Sequence, residues 1–294
     1  MTDTVADWRA AQEAFAKGDI GLAVSHIENV VRKVPADPEA YRVLGRIFRN
    51  AGRLEEASAW YRRCLAVAPG DGVATIGLAA LGEAPAPERL PDDVVLYVFD
   101  RGADSYEASM RSLGYSVPET LLGLVRAGDG TDDGTLDVLD IGCGSGLCGP
   151  LFRPLARKLV GVDLSPRMLA LAAGKGAYDE LVQAEMLEYL ARAPDTIDLV
   201  VAANVFCYFA DLAPLARGIA RVLRAGGRLV FDVEKGAGVE PAFQISGRYT
   251  HSLAALERAL VPCGFAFDHV LDKTMRIEAG KPVAGLYCVA RRNA

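Results

Sequence analysis

A predicted strand that breaks into alternate glycines carries the strongest chemical signal in this chain. The apolar run 138–141 leads into glycines at 142, 144 and 146, and the next predicted strand ends at Asp163. Glycine has no Cβ, so its backbone accepts positive φ and lets a ligand lie against the main chain, and the following helix turns its first amides toward that ligand. An acid at the tip of the next strand can accept hydrogen bonds from two ribose hydroxyls. The pattern predicts a nucleoside-binding βαβ unit.

Two kinds of nucleoside site fit these residues. The run from Gly144 to Gly149 satisfies the GxGxxG fingerprint of dinucleotide enzymes, with an acid about 20 residues further on. In that fingerprint the first glycine follows the strand directly, whereas here Asp140 and Gly142 precede it. The Asp-x-Gly-x-Gly-x-Gly form, followed by Asp163, resembles the first two motifs of class I S-adenosylmethionine-dependent methyltransferases. The resemblance implies S-adenosyl-L-methionine as the cofactor.

The resemblance also implies where the cofactor contacts lie. In the family the acid after the third strand accepts a hydrogen bond from the adenine amino group, and here that position holds Glu185. A Phe-Asp-x-x-Ala-x-x-Tyr arrangement ending at Tyr106 is similar to the helical lid that many small-molecule methyltransferases place over the methionine end of the cofactor. Asn204 follows the fourth predicted strand, at the end where open α/β sheets bind ligands. The residues predicted to bind the cofactor are Tyr106, Asp140, Gly142, Gly144, Gly146, Asp163, Leu164, Met168, Glu185, Met186 and Asn204.

The predicted acceptor chemistry rests on three residues near the ends of the fourth and fifth strands. Tyr208 is expected beside the transferable methyl group. His251 could deprotonate an alcohol or amine, and the planar fork of Arg248 suits a carboxylate, which favours a small acidic acceptor. Two structural alternatives stay open: His251 as a surface or capping residue, and Arg248 as the ion-pair partner of Glu234 or Asp232.

The first 84 residues contain an internal repeat. Glycine at 18 and 52, alanine at 23 and 57, and proline at 35 and 69 each recur 34 positions apart, which is the tetratricopeptide period. The second copy fits better than the first, and 72–81 supplies one further helix as a cap. Because two and a half repeats are few for an independent solenoid, we expect this module to pack on the catalytic domain or on a second subunit. The alternative use, a concave peptide-binding groove, stays open.

These signals predict three segments: tetratricopeptide-like helical repeats over 1–84, a proline-rich linker and helical lid over 85–130, and a class I methyltransferase domain over 131–294. Two β-rich runs, 265–275 and 283–291, flank a cluster of turn residues and are expected to pair as antiparallel strands. A dinucleotide domain would have a parallel sixth strand there. The predicted fold class is α/β: a Rossmann-like, seven-stranded methyltransferase sheet with an antiparallel last strand, preceded by a small all-α tetratricopeptide-like module.

Composition limits the partners that the chain is expected to bind. Its 294 residues carry a net charge of −6, which argues against nucleic acid because phosphate binding depends on clustered Lys and Arg. Six cysteines without a Cys-x-x-Cys pair, together with three histidines, give a metal site little support. Neither a signal peptide nor an apolar run long enough for a membrane helix is recognisable, so we expect a cytoplasmic protein that does not bind membranes.

Taken together, the sequence resembles bacterial tetratricopeptide-containing class I methyltransferases over nearly its whole length. This resemblance implies methyl transfer from S-adenosylmethionine to oxygen, nitrogen or sulfur of a small-molecule substrate, and a homodimer or protein partner bound through the repeats. Two other classes compete with it. A methyltransferase-like adaptor would work through its repeats, but the intact glycine motif and Asp163 oppose that interpretation. An NAD(P)-dependent oxidoreductase is opposed by the antiparallel tail.

Overall fold

The computed structural model describes residues 4–128, 134–278 and 280–293. The chain divides into two compact units: the first comprises the chain up to Pro87 together with Gln244–Gly247, and the second comprises Glu88–Phe243 and the chain from Arg248 onward. Within the described residues, no helix is both long enough and apolar enough to cross a membrane.

The first unit consists of helical hairpins, as the 34-residue period predicts. Asp19, Asp37 and Asp71 each cap a helix by accepting a hydrogen bond from a backbone amide two or three residues further on. Pro38 occupies the first turn of its helix, where the missing N–H costs nothing. The helices of this unit are α1 (Val5–Ala16), α2 (Ile20–Lys33), α3 (Pro38–Asn50), α4 (Leu54–Val67) and α5 (Gly72–Ala80).

One aromatic ring fixes the packing of the last three of these helices. Tyr61 on α4 is 2% exposed. A Cβ placed on Gly45 of α3 or on Gly77 of α5 would lie 2.5 Å from its ring carbons. Two glycines therefore leave the space that the ring fills, and no larger residue fits at either position while Tyr61 stays in place.

The second unit is an α/β sheet with helices on both faces. Its first helix has 21 residues and ends at Ser112, within the segment predicted as linker and lid. Its α-helices are α6 (Asp92–Ser112), α7 (Val117–Ala127), α8 (Gly149–Phe152), α9 (Pro166–Ala173), α10 (Met186–Arg192), α11 (Ala213–Val222) and α12 (Leu253–Leu260). Its strands are β1 (Leu136–Ile141), β2 (Ala156–Asp163), β3 (Glu180–Gln183), β4 (Ile197–Ala202), β5 (Leu223–Lys235), β6 (Ala242–Phe243), β7 (Tyr249–His251), β8 (Phe265–Glu278) and β9 (Lys281–Arg292).

Strands β3, β2, β1, β4 and β5 lie side by side in that order and are parallel. β9 runs antiparallel to β5, and β8 runs antiparallel to β9. The order reverses between β1 and β4, so the carboxyl ends of these two strands border the crevice where such sheets bind ligands. This topology confirms the predicted α/β fold class and its antiparallel last strands. In the described residues the short β6 and β7 bring the sheet to nine strands rather than the predicted seven.

Two apolar layers hold the sheet between its helices. Leu190, Ile219 and Leu256 from α10, α11 and α12 pack on one face. Leu121 of α7 and Phe152 of α8 pack on the other, where the α6–α7 connection also lies. Burial on both faces explains why β1, β4 and β5 read as continuous apolar runs rather than alternating ones.

Three local details concern the strands. β3 starts at Glu180, and the Tyr178 hydroxyl just ahead of it donates to Asp140. β5 begins at Leu223, and its Gly226 and Gly227 lie in a bulge. The loop after β5 contains the short antiparallel pair β6–β7, which is too brief to leave a periodic signal.

Candidate functional site

The glycine loop after β1 has the geometry that its composition predicts. Gly142 and Gly144 have φ values of 65° and 54°, which side chains rarely tolerate. A Cβ on Gly142 would lie 2.7 Å from Val205, so the loop packs directly against the segment that follows β4. A Cβ on Gly144 would meet nothing within 4 Å. Gly144 also lines the main pocket, a cavity beside the carboxyl ends of β1, β2, β3 and β4. Its bare backbone is therefore available to a ligand.

Asp163 holds this loop in place. One carboxylate oxygen accepts a hydrogen bond from Gly144 N at 2.8 Å, and the other accepts from Ser165 N at 2.8 Å. Burial raises the pKa of Asp163, and the backbone donors act in the opposite direction. Each carboxylate oxygen can accept a second hydrogen bond, so Asp163 can position the loop and still bind ligand hydroxyls.

Asp140, the last acid of β1, is almost completely buried. It is 1% exposed, and one oxygen accepts the Tyr178 hydroxyl at 2.7 Å. The other oxygen has no hydrogen-bond partner among the described residues, and Asp140 lines a small cavity together with Gly142 and Gly144. Burial raises the pKa of Asp140 to about 7.

Asn204, directly after β4, adopts a strained backbone conformation. Its φ is 57°, and no other described residue apart from glycines has a positive value. Its backbone N donates to Oδ1 of Asp232 on the neighbouring β5 at 2.7 Å. Such outliers persist only where surrounding contacts hold them, and they cluster at functional sites.

The main pocket gathers most of the predicted cofactor residues. Glu185 lies in its wall, where it caps α10 through Glu188 N at 2.9 Å and lies 3.4 Å from Nη1 of Arg89. Tyr106 on α6 faces it from the lid, and burial raises the pKa of this hydroxyl, which therefore stays neutral. The predicted residues that line the pocket are Tyr106, Gly142, Gly144, Asp163, Leu164, Glu185, Met186, Asn204 and Tyr208.

Three predicted cofactor residues lie outside this pocket. Asp140 faces the smaller neighbouring cavity. Gly146, with a φ of 81°, completes the turn into α8. Met168 is 1% exposed in α9.

Several pocket residues were not predicted. Glu88–Leu90 forms a strap along the loop after β4: Leu90 N donates to Tyr208 O at 2.9 Å, and Ala210 N donates to Glu88 O at 2.7 Å. The strap brings Arg89 and Leu90 into the pocket wall. Because the prolines around the strap indicate a linker, the sequence did not predict that these residues line the pocket. Phe99 of α6 lines the pocket and meets the Tyr208 ring edge-to-face, with ring centroids 5.8 Å apart.

The predicted acceptor residues are only partly brought together. Tyr208 lines the pocket, whereas His251 and Arg248 do not. His251 Nε2 lies 3.0 Å from Phe209 O, and burial lowers the pKa of the ring, which keeps it neutral. Arg248 pairs with Glu234 and Glu278, which is the structural alternative that the sequence left open. The acceptor roles of His251 and Arg248 thus gain no support from the structure and stay predictions.

Within the described residues, no group of three or more His, Cys, Asp or Glu side chains could hold a metal ion. The loop and pocket instead present glycine backbone at Gly142 and Gly144 and the carboxylates of Asp163 and Glu185. These features fit a nucleoside cofactor.

Comparison with known proteins agrees with this geometry. Residues 139–231 match the methyltransferase domain family, and residues 9–72 match the tetratricopeptide repeat family. A malonyl-(acyl-carrier protein) O-methyltransferase of Pectobacterium atrosepticum is 31% identical over 145 residues, which cover 49% of this chain and 54% of that protein. A ubiquinone biosynthesis O-methyltransferase of Thiobacillus denitrificans is 32% identical over 101 residues, covering 32% of this chain and 43% of the relative.

Solved structures support the fold. The magnesium protoporphyrin IX methyltransferase of Synechocystis PCC 6803 with bound S-adenosylhomocysteine has a TM-score of 0.54 at 17% identity, covering 69% of this chain and 99% of that one. The chain thus spans about half the length, or less, of the two relatives named above, and nearly all of this solved structure. Together these matches confirm the resemblance found in the sequence: this chain joins tetratricopeptide repeats to a domain of the S-adenosylmethionine-dependent methyltransferase class.

Proposed function

We propose that this chain transfers the methyl group of S-adenosylmethionine to an oxygen atom of a small-molecule acceptor. The observation that carries the proposal is the clamp of Asp163 on Gly144, which holds bare backbone and a ribose-binding acid at the wall of one pocket. The choice of oxygen is supported by the two relatives, both named O-methyltransferases. The cofactor would supply an activated methyl group on a sulfonium sulfur.

The chain's own residues are assigned four tasks in this proposal. Asp163 accepts hydrogen bonds from the ribose, and Glu185 accepts one from the adenine edge. Gly142 and Gly144 let the nucleoside approach the main chain. The remaining lining of the pocket, Tyr106 and Phe99 included, excludes water from the reacting atoms, as catalysis of group transfer requires.

Calorimetric titration with S-adenosylhomocysteine tests the proposal. Wild-type protein is expected to bind it, and Asp163→Ala to bind it at least tenfold more weakly, roughly the loss of one charge-assisted hydrogen bond. Asp104→Ala is a matched control, because this exposed carboxylate on α6 pairs only with Arg167 among the described contacts. Equal affinity in the Asp163 variant would remove the assignment. Binding of NAD⁺ in place of S-adenosylhomocysteine would favour the oxidoreductase.

The repeats are proposed to bind protein, either a second copy of the chain or a different partner. Support comes from the tetratricopeptide match over residues 9–72, since stacked repeats of this class build extended binding surfaces. Light scattering of the full chain distinguishes the two cases. A monomer at high concentration would exclude the homodimer.

A further inference from the structure

Three buried polar atoms on neighbouring strands have no hydrogen-bond partner in the described part of the chain. They are Oδ2 of Asp232 on β5, Nη1 of Arg276 on β8 and the hydroxyl of Tyr287 on β9. Their residues are 1%, 4% and 0% exposed. Because buried polar groups are nearly always hydrogen-bonded, such a cluster indicates a polar molecule that the protein itself does not supply.

The three residues lie close together, since Arg276 pairs with Glu234, two residues from Asp232 on β5. Asp232 and Tyr287 lie opposite each other in the register of β5 and β9. Burial raises the pKa of Tyr287, the Asp232 carboxyl raises it further, and the Arg276 guanidinium and the neighbouring Thr120 hydroxyl act in the opposite direction. Burial and the same two charges act in the same directions on the pKa of Tyr115. Tyr115 therefore lies within electrostatic range of the same two charges.

This cluster adjoins the candidate cofactor site on two sides. Oδ1 of Asp232 accepts the hydrogen bond from Asn204 N, and Asn204 lines the main pocket. Tyr115 lines the smaller cavity together with Gly142 and Gly144. The free oxygen of Asp232 thus lies beside the residues expected to surround the cofactor, on the sheet face that α7 covers.

Charge decides what kind of group the cluster can accept. Arg276 already pairs with Glu234 through Nη2 and with Glu278 through Nε, at 3.0 Å for the latter. Arg248 pairs with the same two carboxylates. Two cations and two anions cancel, so an ionised Asp232 leaves this group of five side chains with one negative charge. An anionic acceptor would be repelled there, whereas a neutral hydroxyl can donate to Asp232 and accept from Arg276.

We propose that Asp232, Arg276 and Tyr287 bind the acceptor, and that its reacting group is a neutral, acidic hydroxyl such as a phenol. This inference rests on the proposed methyl transfer. It replaces the acceptor expected from Arg248, which would carry a negatively charged carboxylate. The hydroxyl donates its proton to Oδ2 of Asp232 while its oxygen bonds to the methyl carbon, and the carbon–sulfur bond breaks with its electron pair left on sulfur. Asp232, now neutral, releases the proton to solvent after product departure.

The acidity of Asp232 suits this role. Burial raises its pKa to about 7, and the Asn204 amide and the Arg276 guanidinium act in the opposite direction. Glu234 of the same strand raises it slightly. A general base is most effective when its pKa lies near the working pH, and phenols titrate near 10.

Phenol carries a hydroxyl and benzoate a carboxylate on an otherwise identical ring. Calorimetric titration of each compound into protein saturated with S-adenosylhomocysteine tests the inference. Wild-type protein is expected to bind phenol at least tenfold more tightly than benzoate. Asp232→Asn and Tyr287→Phe should each weaken phenol binding about tenfold, because each removes one hydrogen bond. Both variants should bind S-adenosylhomocysteine within twofold of wild type. Asp272→Asn on β8 is the control, since this half-exposed carboxylate pairs with Lys235.

The possible failures are distinguishable. Wild-type protein that does not bind S-adenosylhomocysteine would overturn the proposed function itself. Normal S-adenosylhomocysteine binding without phenol binding, or with tighter benzoate binding, would overturn only the acceptor assignment. A tenfold loss of S-adenosylhomocysteine affinity in Asp232→Asn would assign the cluster to the cofactor instead. A crystal structure with phenol in which all three atoms bond to ordered water would likewise end the inference.

Discussion

Buried carboxylates differ between the repeat unit and the methyltransferase unit. Asp71, 5% exposed, has both oxygens bonded, one to Ala74 N at 2.9 Å and one to Arg42 Nε at 2.6 Å. Asp140 and Asp232 are each 1% exposed, and each keeps one oxygen without a partner in the described residues. Fully satisfied buried acids hold elements together, whereas half-satisfied ones mark places where a ligand completes the structure.

The largest expected effect is on the pH dependence of stability. Burial raises the folded-state pKa of Asp140 to about 7, well above its unfolded value. The folded state therefore holds a proton that the unfolded state has lost, and this contribution to stability is complete below about pH 4 and disappears as pH rises to about 7. Asp140→Asn should remove up to about 4 kcal/mol of this dependence.

Urea unfolding at several pH values between 4 and 8 measures this pH dependence of the free energy of unfolding. Asp104→Asn, at an exposed site, should leave the wild-type slope intact. Parallel stability curves for wild type and Asp140→Asn would show that the free oxygen is solvated and would break the contrast with Asp71.

The next largest effect is expected on the free energy of unfolding when Asp71, the fully hydrogen-bonded acid, is removed. Asp71→Ala removes a helix cap and leaves Arg42 without its buried partner, which should lower the free energy of unfolding by about 3 kcal/mol. Asp71→Asn should recover about 1 kcal/mol, because an amide oxygen can still cap α5. Urea denaturation gives both values. A loss of S-adenosylhomocysteine affinity in the folded variant would mean that this acid is not purely structural.

The smallest effect expected is that of removing the repeats. A chain that begins at Glu88 keeps the strap and the whole sheet, so it should stay folded and bind S-adenosylhomocysteine within about threefold of the full chain. Circular dichroism shows whether the shortened chain is folded, and calorimetry measures its affinity for S-adenosylhomocysteine. An unfolded or cofactor-blind product would show that the repeats belong to the catalytic core.

Features set by local patterns were predictable from the sequence. The apolar strands, the glycines at 142, 144 and 146 and the repeat period each depend on residues close in sequence. The antiparallel β8–β9 pair was predicted from the turn cluster between the two strands. These predictions agree with the structure because local propensity and packing favour the same conformation.

Features set by register were not predictable. The hydrogen bond from Asn204 to Asp232 joins residues 28 positions apart and depends on how β4 and β5 align. Arg276 lies in a strand with many exposed side chains, so nothing in its neighbours signals that it is 4% exposed. The strap at Leu90 depends on backbone pairing, which leaves no side-chain pattern to read.

The Tyr61 ring between Gly45 and Gly77 has a consequence for how this chain can change over generations. A side chain at either glycine is incompatible with the ring, and a smaller residue at 61 leaves an empty space beside both. Single substitutions at the three positions are therefore each costly, whereas paired ones can compensate. In related chains the three positions should vary together, and a lineage that loses the tyrosine should lose the glycines with it.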